Sequence, residues 1–313
     1  MSLAEANKKY FDLIADAYDS KPWFAKVNNQ TTAFIHEHLD WVGLPFTEVS
    51  GSSSNGISLL DYACGPGLMS RIFAPYVTVT RGIDIAPNMV ATYNARAQAA
   101  ELPESKIKAV LGNIFSDEQS SELQKPEYHN FDLATVGFGF HHFEDVTESA
   151  RRLKERLRPG GVLIITDFLE GGDLKADEEG NPIPASEGDH TGHIHYHDHS
   201  GHSKGHDSKH SHGHQHHDHH HHHDKIDHKE DKERMEHGVA GASTKVMSNS
   251  IVVPSFTIEG VKKFFTDAGL VDVDVITMKE RVYMQFAGKK LWRTILFARG
   301  RRPLDETIDK SEL

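Results

Sequence analysis

A regular alternation of short apolar segments with helical ones constrains the fold of this chain most. Strands are predicted over residues 57–62, 77–85, 106–112, 131–137 and 162–168, and helices over 68–76, 88–100 and 146–157. The run from Val162 to Phe168 is almost continuously apolar, which suits a parallel strand covered on both faces. Strands that alternate with helices predict an α/β fold with a doubly wound sheet.

The C-terminal part resumes this pattern after a polar interruption. A helix is predicted over 257–268, where Gly269 ends it, followed by strands over 271–278 and 291–298. We expect these two strands, joined by a loop around 286–288, to form an antiparallel hairpin that completes a seven-stranded sheet. The chain then divides into an N-terminal helical segment (1–50), a core (51–169), an insertion (170–250), a closing helix and hairpin (251–300) and a tail (301–313).

The insertion is polar and low in complexity. Residues 190–237 hold 19 of the 24 histidines, and such a segment, predicted to be mostly disordered, cannot offset its ordering entropy by burial. Imidazoles suit Zn, Ni and Cu. A solvated or interaction linker, a loose non-catalytic Zn or Ni site and a pH-sensitive regulator all remain open. The candidate ligands are His195, His197, His199, His216, His217 and His219.

Bulk composition narrows the classes of function. The formal charge of −12 gives no basic footprint for nucleic acid. The single cysteine, Cys64, excludes an intrachain disulfide. No apolar run approaches the roughly 18 residues that span a bilayer, and the N-terminus has no signal-peptide pattern. We therefore expect a soluble protein of the cytoplasm or nucleus.

A turn of small residues follows the first predicted strand, at Gly65-Pro66-Gly67. Small residues let the backbone approach a ligand closely, and the next helix directs free amides at it. Such a turn also serves dinucleotides or simple chain reversal. Asp84 ends the second predicted strand, where a carboxylate can accept hydrogen bonds from ribose hydroxyls; the alternative is a helix N-cap.

The stretch from Leu60 to Gly67, LDYACGPG, resembles the first motif of class I S-adenosylmethionine (SAM)-dependent methyltransferases. It is especially similar to the branch with quinone-biosynthesis and other small-molecule methyltransferases, in which Gly is usual where Ala63 stands. The resemblance covers about 8–169 and 255–299 and implies a Rossmann-like fold with SAM as cofactor. Further matches are Gly82-Ile83-Asp84, Leu111 to Ile114, Phe131 to Leu133 with His141-His142 downstream, and Leu157 to Gly161.

The resemblance also implies residue roles. The turn under the methionine moiety is formed by Asp61, Ala63, Gly65 and Gly67. Asp84 would hold the ribose, Ile85 and Ile114 would contact the adenine, and Asn113 would accept a hydrogen bond from its amino group. Gly137, Phe138 and Gly139 would flank the methionine part. Tyr10 and Tyr18 resemble residues of an N-terminal lid, or simply pack their helix.

Transfer of the methyl group needs in-line alignment with the acceptor, and a base only if that acceptor is protonated. His141 and His142 follow the fourth strand and are candidate bases, or are structural. We expect a small-molecule acceptor. The alternatives are a protein acceptor such as a histone, a regulatory methyltransferase-like subunit that binds partners through the insertion, a metal-binding module and a NAD-dependent oxidoreductase. Two interpretations, lining of the acceptor site or membership of the core, are open for four aromatic residues: Phe256, Tyr283, Phe286 and Trp292.

Overall fold

The computed structural model describes residues 2–15, 18, 21–47, 56–116, 120–188, 190, 251–286 and 289–304. The helices are α1 (Leu3–Ile14), α2 (Pro22–Glu37), α3 (Leu39–Val42), α4 (Leu68–Phe73), α5 (Pro87–Ala99), α6 (Val146–Arg156) and α7 (Ile258–Asp267). The strands are β1 (Ile57–Tyr62), β2 (Val77–Asp84), β3 (Ile107–Leu111), β4 (Phe131–Gly137), β5 (Leu157–Phe168), β6 (Leu174–Lys175), β7 (Val271–Thr277), β8 (Val282–Phe286), β9 (Lys289–Arg293) and β10 (Ile295–Arg301).

Seven strands form the main sheet in the order β3-β2-β1-β4-β5-β10-β7. The pairs among β1 to β5 are parallel, whereas β10 runs antiparallel to both β5 and β7. This is the predicted Rossmann-like α/β sheet with an antiparallel C-terminal edge. The direction of strand addition reverses between β1 and β4, so a crevice opens at their carboxyl ends, where open α/β sheets bind ligands.

Two apolar clusters cover the two faces of the sheet. Neighbouring residues of one strand point to opposite faces, and in β1 Leu59 and Leu60 accordingly belong to different clusters. Leu133 and Ala134 divide in the same way in β4. Because both faces of the central strands are buried, apolar residues occupy successive positions in them, and this is the pattern from which the strands were predicted.

The predicted antiparallel pairing of two C-terminal strands is confirmed, but two further strands, β8 and β9, lie between them in the chain in place of one short loop. The segment expected as one strand over 291–298 is two strands, β9 and β10, which part at Thr294. β9 pairs with β8 and β6 in a separate three-stranded sheet, and β10 is the strand that pairs with β7. The backbone amide of Leu169 donates to the Thr294 carbonyl at 2.9 Å, which attaches the break to the end of β5. The break falls at the polar residues Arg293 and Thr294, but two polar residues can also lie within one strand, so the sequence does not mark the change of sheet.

Residues 170–188, assigned from sequence to the insertion, belong to the folded structure. They carry β6 and end in a bridge between Asp173 and Gly188. A buried ion pair joins Asp173 Oδ1 to Arg293 Nε at 3.1 Å, and the Arg293 guanidinium lies 3.8 Å from the centre of the Phe168 ring. The small sheet is thus fixed to the end of β5.

The chain returns to the main sheet at Phe256, directly beside the point where it left. Phe256 bridges Leu169 in parallel, and its amide donates to the Phe168 carbonyl at 2.8 Å. Residues 191–250 lie outside the described residues, together with all six histidines proposed as metal ligands. None of the helices that the structure describes is sufficiently long and apolar to cross a bilayer.

Candidate active site

The turn between β1 and α4 has a left-handed backbone at three places. Ala63 has φ of 52°, Gly65 of 48° and Gly67 of 90°. An L-residue is strained in this region, so the structure explains why glycine is usual at position 63 in the resembling motif. A Cβ atom on Gly65 would meet nothing within 4 Å, whereas one on Gly67 would lie 2.9 Å from the Tyr93 ring. Gly65 therefore faces open space, and Gly67 is required by packing.

Asp61 fixes this turn from below. Its Oδ2 accepts hydrogen bonds from the Ser70 amide at 3.0 Å and the Ser70 hydroxyl at 2.6 Å. The Ser70 hydroxyl lies 2.7 Å from that of Tyr93. Burial raises the pKa of Asp61 to about 7, although the two Ser70 hydrogen bonds oppose this rise. Burial also raises the pKa of the neighbouring Cys64 thiol, so a thiolate nucleophile is not favoured there.

Asp84 joins the ends of β1 and β2. One carboxylate oxygen accepts from the Gly65 amide at 2.8 Å, and the other accepts from the Ala86 amide at 2.9 Å. Burial raises the pKa of Asp84, and these amides act in the opposite direction. Each carboxylate oxygen can accept a further hydrogen bond, so Asp84 can hold the turn and a ligand hydroxyl together.

Asn113, which follows β3, is oriented by its neighbours. Its Oδ1 accepts from the Tyr62 hydroxyl at 3.1 Å and from the Phe115 amide at 2.9 Å. A carbonyl oxygen has two lone pairs, and both are used here. The side-chain Nδ2 is then the group left to meet a ligand, which makes Asn113 a hydrogen-bond donor rather than the acceptor that the resemblance implies.

The turn after β4 carries the two candidate bases. His141 Nδ1 lies 2.9 Å from Oδ1 of the fully buried Asp167, and the His141 amide donates to Oδ2 of the same carboxylate at 3.1 Å. The His141 and His142 rings lie 4.1 Å apart. Asp167 thereby fixes the turn that presents His142. Phe138, just before this turn, has φ of 54°, a second strained residue near the same sheet edge.

Helix α1 covers the edge formed by these turns. The Asn7 side-chain amide donates to the His142 carbonyl at 3.2 Å, and the Phe11 and His142 rings meet edge to face at 5.0 Å. Between α1 and the sheet lies a cavity of about 350 Å³. Its volume falls within the range of about 300–1,000 Å³ that small-molecule sites occupy.

The structure brings most of the predicted site residues to this cavity. Tyr18, Ala63, Gly65, Asp84, Ile85, Asn113, Gly137, Phe138, Gly139 and His142 line it. The predicted residues that stand outside the lining are Tyr10, Asp61, Gly67, Ile114 and His141. Tyr10 and Ile114 are buried in the packing, and His141 contacts Asp167 instead. Phe256 belongs to the core, and Tyr283 and Trp292 pack together at 5.7 Å in the small sheet.

Several lining residues were not predicted from the sequence. They come from α1, from β1, from the start of α5, from the segment after β3, and from the loop before α6 together with the first turn of that helix: Leu3, Ala4, Asn7, Phe11, Tyr62, Met89, Phe115, Phe143, Glu144, Asp145, Glu148 and Ser149. Only the position of the last group, just after the His141-His142 pair, was a usable signal. Within the described ranges, no cluster of three potential metal ligands occurs.

Comparison with known proteins places this geometry in context. The profile of the family described as "Methyltransferase domain" matches residues 42–202, just over half of the chain. An uncharacterized methyltransferase of Schizosaccharomyces pombe is 32% identical over 119 residues, which cover 38% of this chain and 41% of that protein. A 2-phytyl-1,4-naphtoquinone methyltransferase of Trichormus variabilis is 29% identical over 163 residues, with 50% of this chain and 62% of that protein covered.

Among solved structures, the YcgJ protein of Bacillus subtilis superposes with a TM-score of 0.43 at 14% identity, over 79% of this chain and 92% of that one. The chain thus spans between two fifths and two thirds of the length of these two curated relatives.

Proposed function

Because this chain belongs to the methyltransferase domain family, we propose that it transfers a methyl group from SAM to a small-molecule acceptor by in-line displacement. The observation that carries the proposal is that Gly65, Asp84 and Asn113, from the ends of three different strands, line one cavity. The family resemblance gives these residues roles toward one ligand, and their convergence agrees with that.

The residues present fit SAM. Gly65 leaves open space in which an added Cβ would meet no protein atom, so a ligand can lie directly on the backbone. Asp84 has acceptor capacity left for ribose hydroxyls, and Asn113 offers Nδ2 to a ring nitrogen of the adenine. Ile85 and Phe115 are apolar lining residues for the flat faces of a base.

When bound, SAM supplies a methyl group that the sulfonium has already activated. The protein's own contribution is to orient the acceptor and to exclude water, which together supply a large part of a transfer barrier. Helix α1 closes the cavity through Asn7 and Phe11. His142 is the imidazole that lines the cavity and can take a proton released by the acceptor.

The cover formed by α1 supports a small acceptor over a protein one. Leu3, Ala4, Asn7 and Phe11 all line the cavity from the same helix. A small molecule fits beneath this helix, whereas a protein side chain on its backbone requires the helix to be displaced. Transfer to histones, or binding of a partner through the insertion, remains the alternative that the experiment below distinguishes.

Calorimetric titration with S-adenosylhomocysteine tests the cofactor site. We expect binding by the wild-type protein and at least a tenfold weaker affinity for Asp84→Asn. Asp40→Asn, which changes an exposed acid outside the cavity, serves as the matched control. If thermal denaturation shows that Asp84→Asn is not folded, Ile85→Trp is used as the site variant instead. Unchanged affinity in a folded site variant contradicts the proposal.

Turnover with isotope-labelled SAM identifies the acceptor class. Label in a low-molecular-weight fraction of a cell extract supports a small acceptor. Label in added histones or other proteins, with none in the small-molecule fraction, contradicts it and favours the alternative.

A further inference from the structure

Helix α1 forms one wall of the cavity, and a residue outside the cavity attaches this helix to α5. Asp12 lies in the last turn of α1 and does not belong to the lining. Its Oδ1 accepts a hydrogen bond from the Asn88 backbone amide at 2.7 Å, and its carbonyl accepts one from the Asn88 side-chain amide at 3.1 Å. We call this reciprocal pair of hydrogen bonds, between residues 76 positions apart, the Asp12 latch.

Helix α5 has no side-chain cap of its own. Its N-cap residue is Ala86, whose side chain cannot accept a hydrogen bond, and Pro87 is its first residue. The first amides of a helix have no partner within it, and a polar N-cap side chain normally accepts from one of them. The amide of Asn88, the second residue of α5, is such a group. Asp12 therefore supplies from α1 the cap that α5 lacks, with its negative charge at the helix end that favours anions.

Apolar packing connects the latch to the cavity. Ala86 and Met89 belong to a small buried cluster against which Phe11 and Tyr18 pack. Three of these side chains, those of Phe11, Tyr18 and Met89, line the cavity. Because Met89 directly follows Asn88 in α5, a shift of α1 away from the latch changes the wall of the cavity.

The start of α5 also contacts the residue to which we assign the ribose. Asp84 Oδ1 accepts a hydrogen bond from the Ala86 amide at 2.9 Å, and Asp12 Oδ1 accepts one from the Asn88 amide. Two carboxylates thus hold two amides of the same helix end, one from the cavity and one from α1. A ligand at Asp84 therefore lies beside the point at which α1 is attached.

A separate contact holds the N-terminal half of α1. The Asn7 side-chain amide donates to the His142 carbonyl at 3.2 Å, on the turn after β4. This contact does not involve α5. Loss of the latch should therefore release the C-terminal half of α1 while the helix stays attached to the core.

We propose that Asp12 is a positioning residue that holds α1 over the cavity, so that the latch sets how long the demethylated cofactor stays bound. This inference rests on the proposed function. The ligand lies between α1 and the sheet, and its departure requires α1 to move away from the start of α5. Because Asp12 lies outside the lining, it acts on release through α1. Opening of such covers limits turnover in many enzymes.

A chase experiment measures this release directly. The full chain is saturated with isotope-labelled S-adenosylhomocysteine and mixed with an excess of the unlabelled compound, and the bound label is followed by rapid filtration. We expect Asp12→Ala to release the label about threefold to tenfold faster than the wild type, the scale on which loss of a helix cap acts. Asp12→Asn keeps an accepting oxygen and should remain within about twofold of the wild type. Leu13→Ala, which changes the adjacent and 61% exposed residue of α1, is the control.

A double variant separates the position of α1 from the stability of α5. Ala86 has the extended backbone of an N-cap residue, with φ of −98° and ψ of 114°. Asp12→Ala/Ala86→Ser therefore restores a cap within α5 but not its attachment to α1. We expect this variant to regain Tm relative to Asp12→Ala and to keep the fast release. Hydrogen exchange should be faster in α1 of both variants, with α5 protected in the double variant.

A second variant covers the case in which thermal denaturation shows that Asp12→Ala is not folded. Asn88→Ala removes only the hydrogen bond from the Asn88 side chain and leaves the backbone amide to Asp12. It should also release the label faster than the wild type, by a smaller factor than is expected for Asp12→Ala.

The outcomes separate this inference from the proposed function. If the wild type does not bind S-adenosylhomocysteine, the proposed function fails and this inference fails with it. If it binds, and the folded latch variant releases the label at the wild-type rate, the latch alone is overturned. A return to the wild-type rate in Asp12→Ala/Ala86→Ser also overturns it, because Asp12 then acts only as a helix cap.

Discussion

Replacing Gly65 with alanine tests whether the turn after β1 lies directly against a ligand. Gly65 lines the cavity, and an added Cβ meets no protein atom within 4 Å. The new methyl group therefore projects toward the space that we assign to SAM. Gly171 offers a matched control, because it also has positive φ, of 73°, and open space for a Cβ, but does not line the cavity.

The cost to folding follows from the backbone. A left-handed φ costs an L-residue about 1–2 kcal/mol, and alanine recovers about 0.4–1 kcal/mol by restricting the unfolded chain. The net loss in the free energy of unfolding is roughly 1 kcal/mol for Gly65→Ala and for Gly171→Ala alike. In a chain of this size, such a loss lowers Tm by about 2–4 °C. Ala63 already has φ of 52° in the same turn, so the fold tolerates this strain.

The effect on binding should separate the two variants. We expect Gly65→Ala to weaken the binding of S-adenosylhomocysteine at least tenfold, which corresponds to about 1.4 kcal/mol. Gly171→Ala should leave the affinity for this ligand unchanged. Calorimetric titration measures the affinity, and thermal denaturation confirms that both proteins are folded. Equal affinities in folded Gly65→Ala and wild type would refute the contact between this turn and the ligand.

Three further predictions concern stability. The pKa of Asp61 is raised to about 7 from 3.8, so its contribution to the free energy of unfolding is fully present below pH 3.8 and is lost as pH rises through about 7. In urea denaturation between pH 5 and 8, the stability of Asp61→Asn should therefore depend less on pH than that of the wild type. Equal pH dependence in the two proteins would contradict this. Asn113→Ala removes the acceptor of the Tyr62 hydroxyl and the Phe115 amide and should lower the free energy of unfolding by about 1–3 kcal/mol. Asn113→Asp keeps both hydrogen bonds and should be more stable than the alanine variant. Equal losses of stability in urea denaturation would contradict the described orientation of the Asn113 amide. Arg293→Met removes the guanidinium from the buried Asp173 carboxylate and should lower the free energy of unfolding by about 3–5 kcal/mol. The double change Arg293→Met/Asp173→Leu should restore much of this stability. If it restores none, loss of the ion pair is not the cause.

The sequence predicts the main sheet well because burial of a strand on both faces requires runs of apolar residues, which are visible in the sequence. In β5 the run from Val162 to Ile165 is apolar throughout, as expected of a parallel strand that is buried on both faces. The change from one sheet to the other at Thr294 has no comparable pattern in the sequence. Both sheets need apolar residues on the buried side of each strand, so β9 and β10 look like one strand in sequence.

Prediction of the cavity succeeds where backbone shape is required and fails where side chains only meet in space. Gly65 and Asp84 belong to turns whose conformation restricts the residue type. Asn7 and Asp145 reach the cavity through the packing of α1 and α6 on the sheet edge, which no local pattern specifies. The orientation of Asn113 likewise depends on a hydroxyl 51 residues away in sequence.

The bridge between Leu169 and Phe256 pairs the two ends of the segment 170–255 with each other beside β5. Lengthening a flexible loop costs only about 0.6 kcal/mol for each doubling, so a junction closed in this way can accept new sequence without a change in the sheet. During evolution it is a place where a chain can acquire an appendage and keep the sheet edge that lines the cavity. It equally offers a protein engineer a position at which to insert a reporter domain.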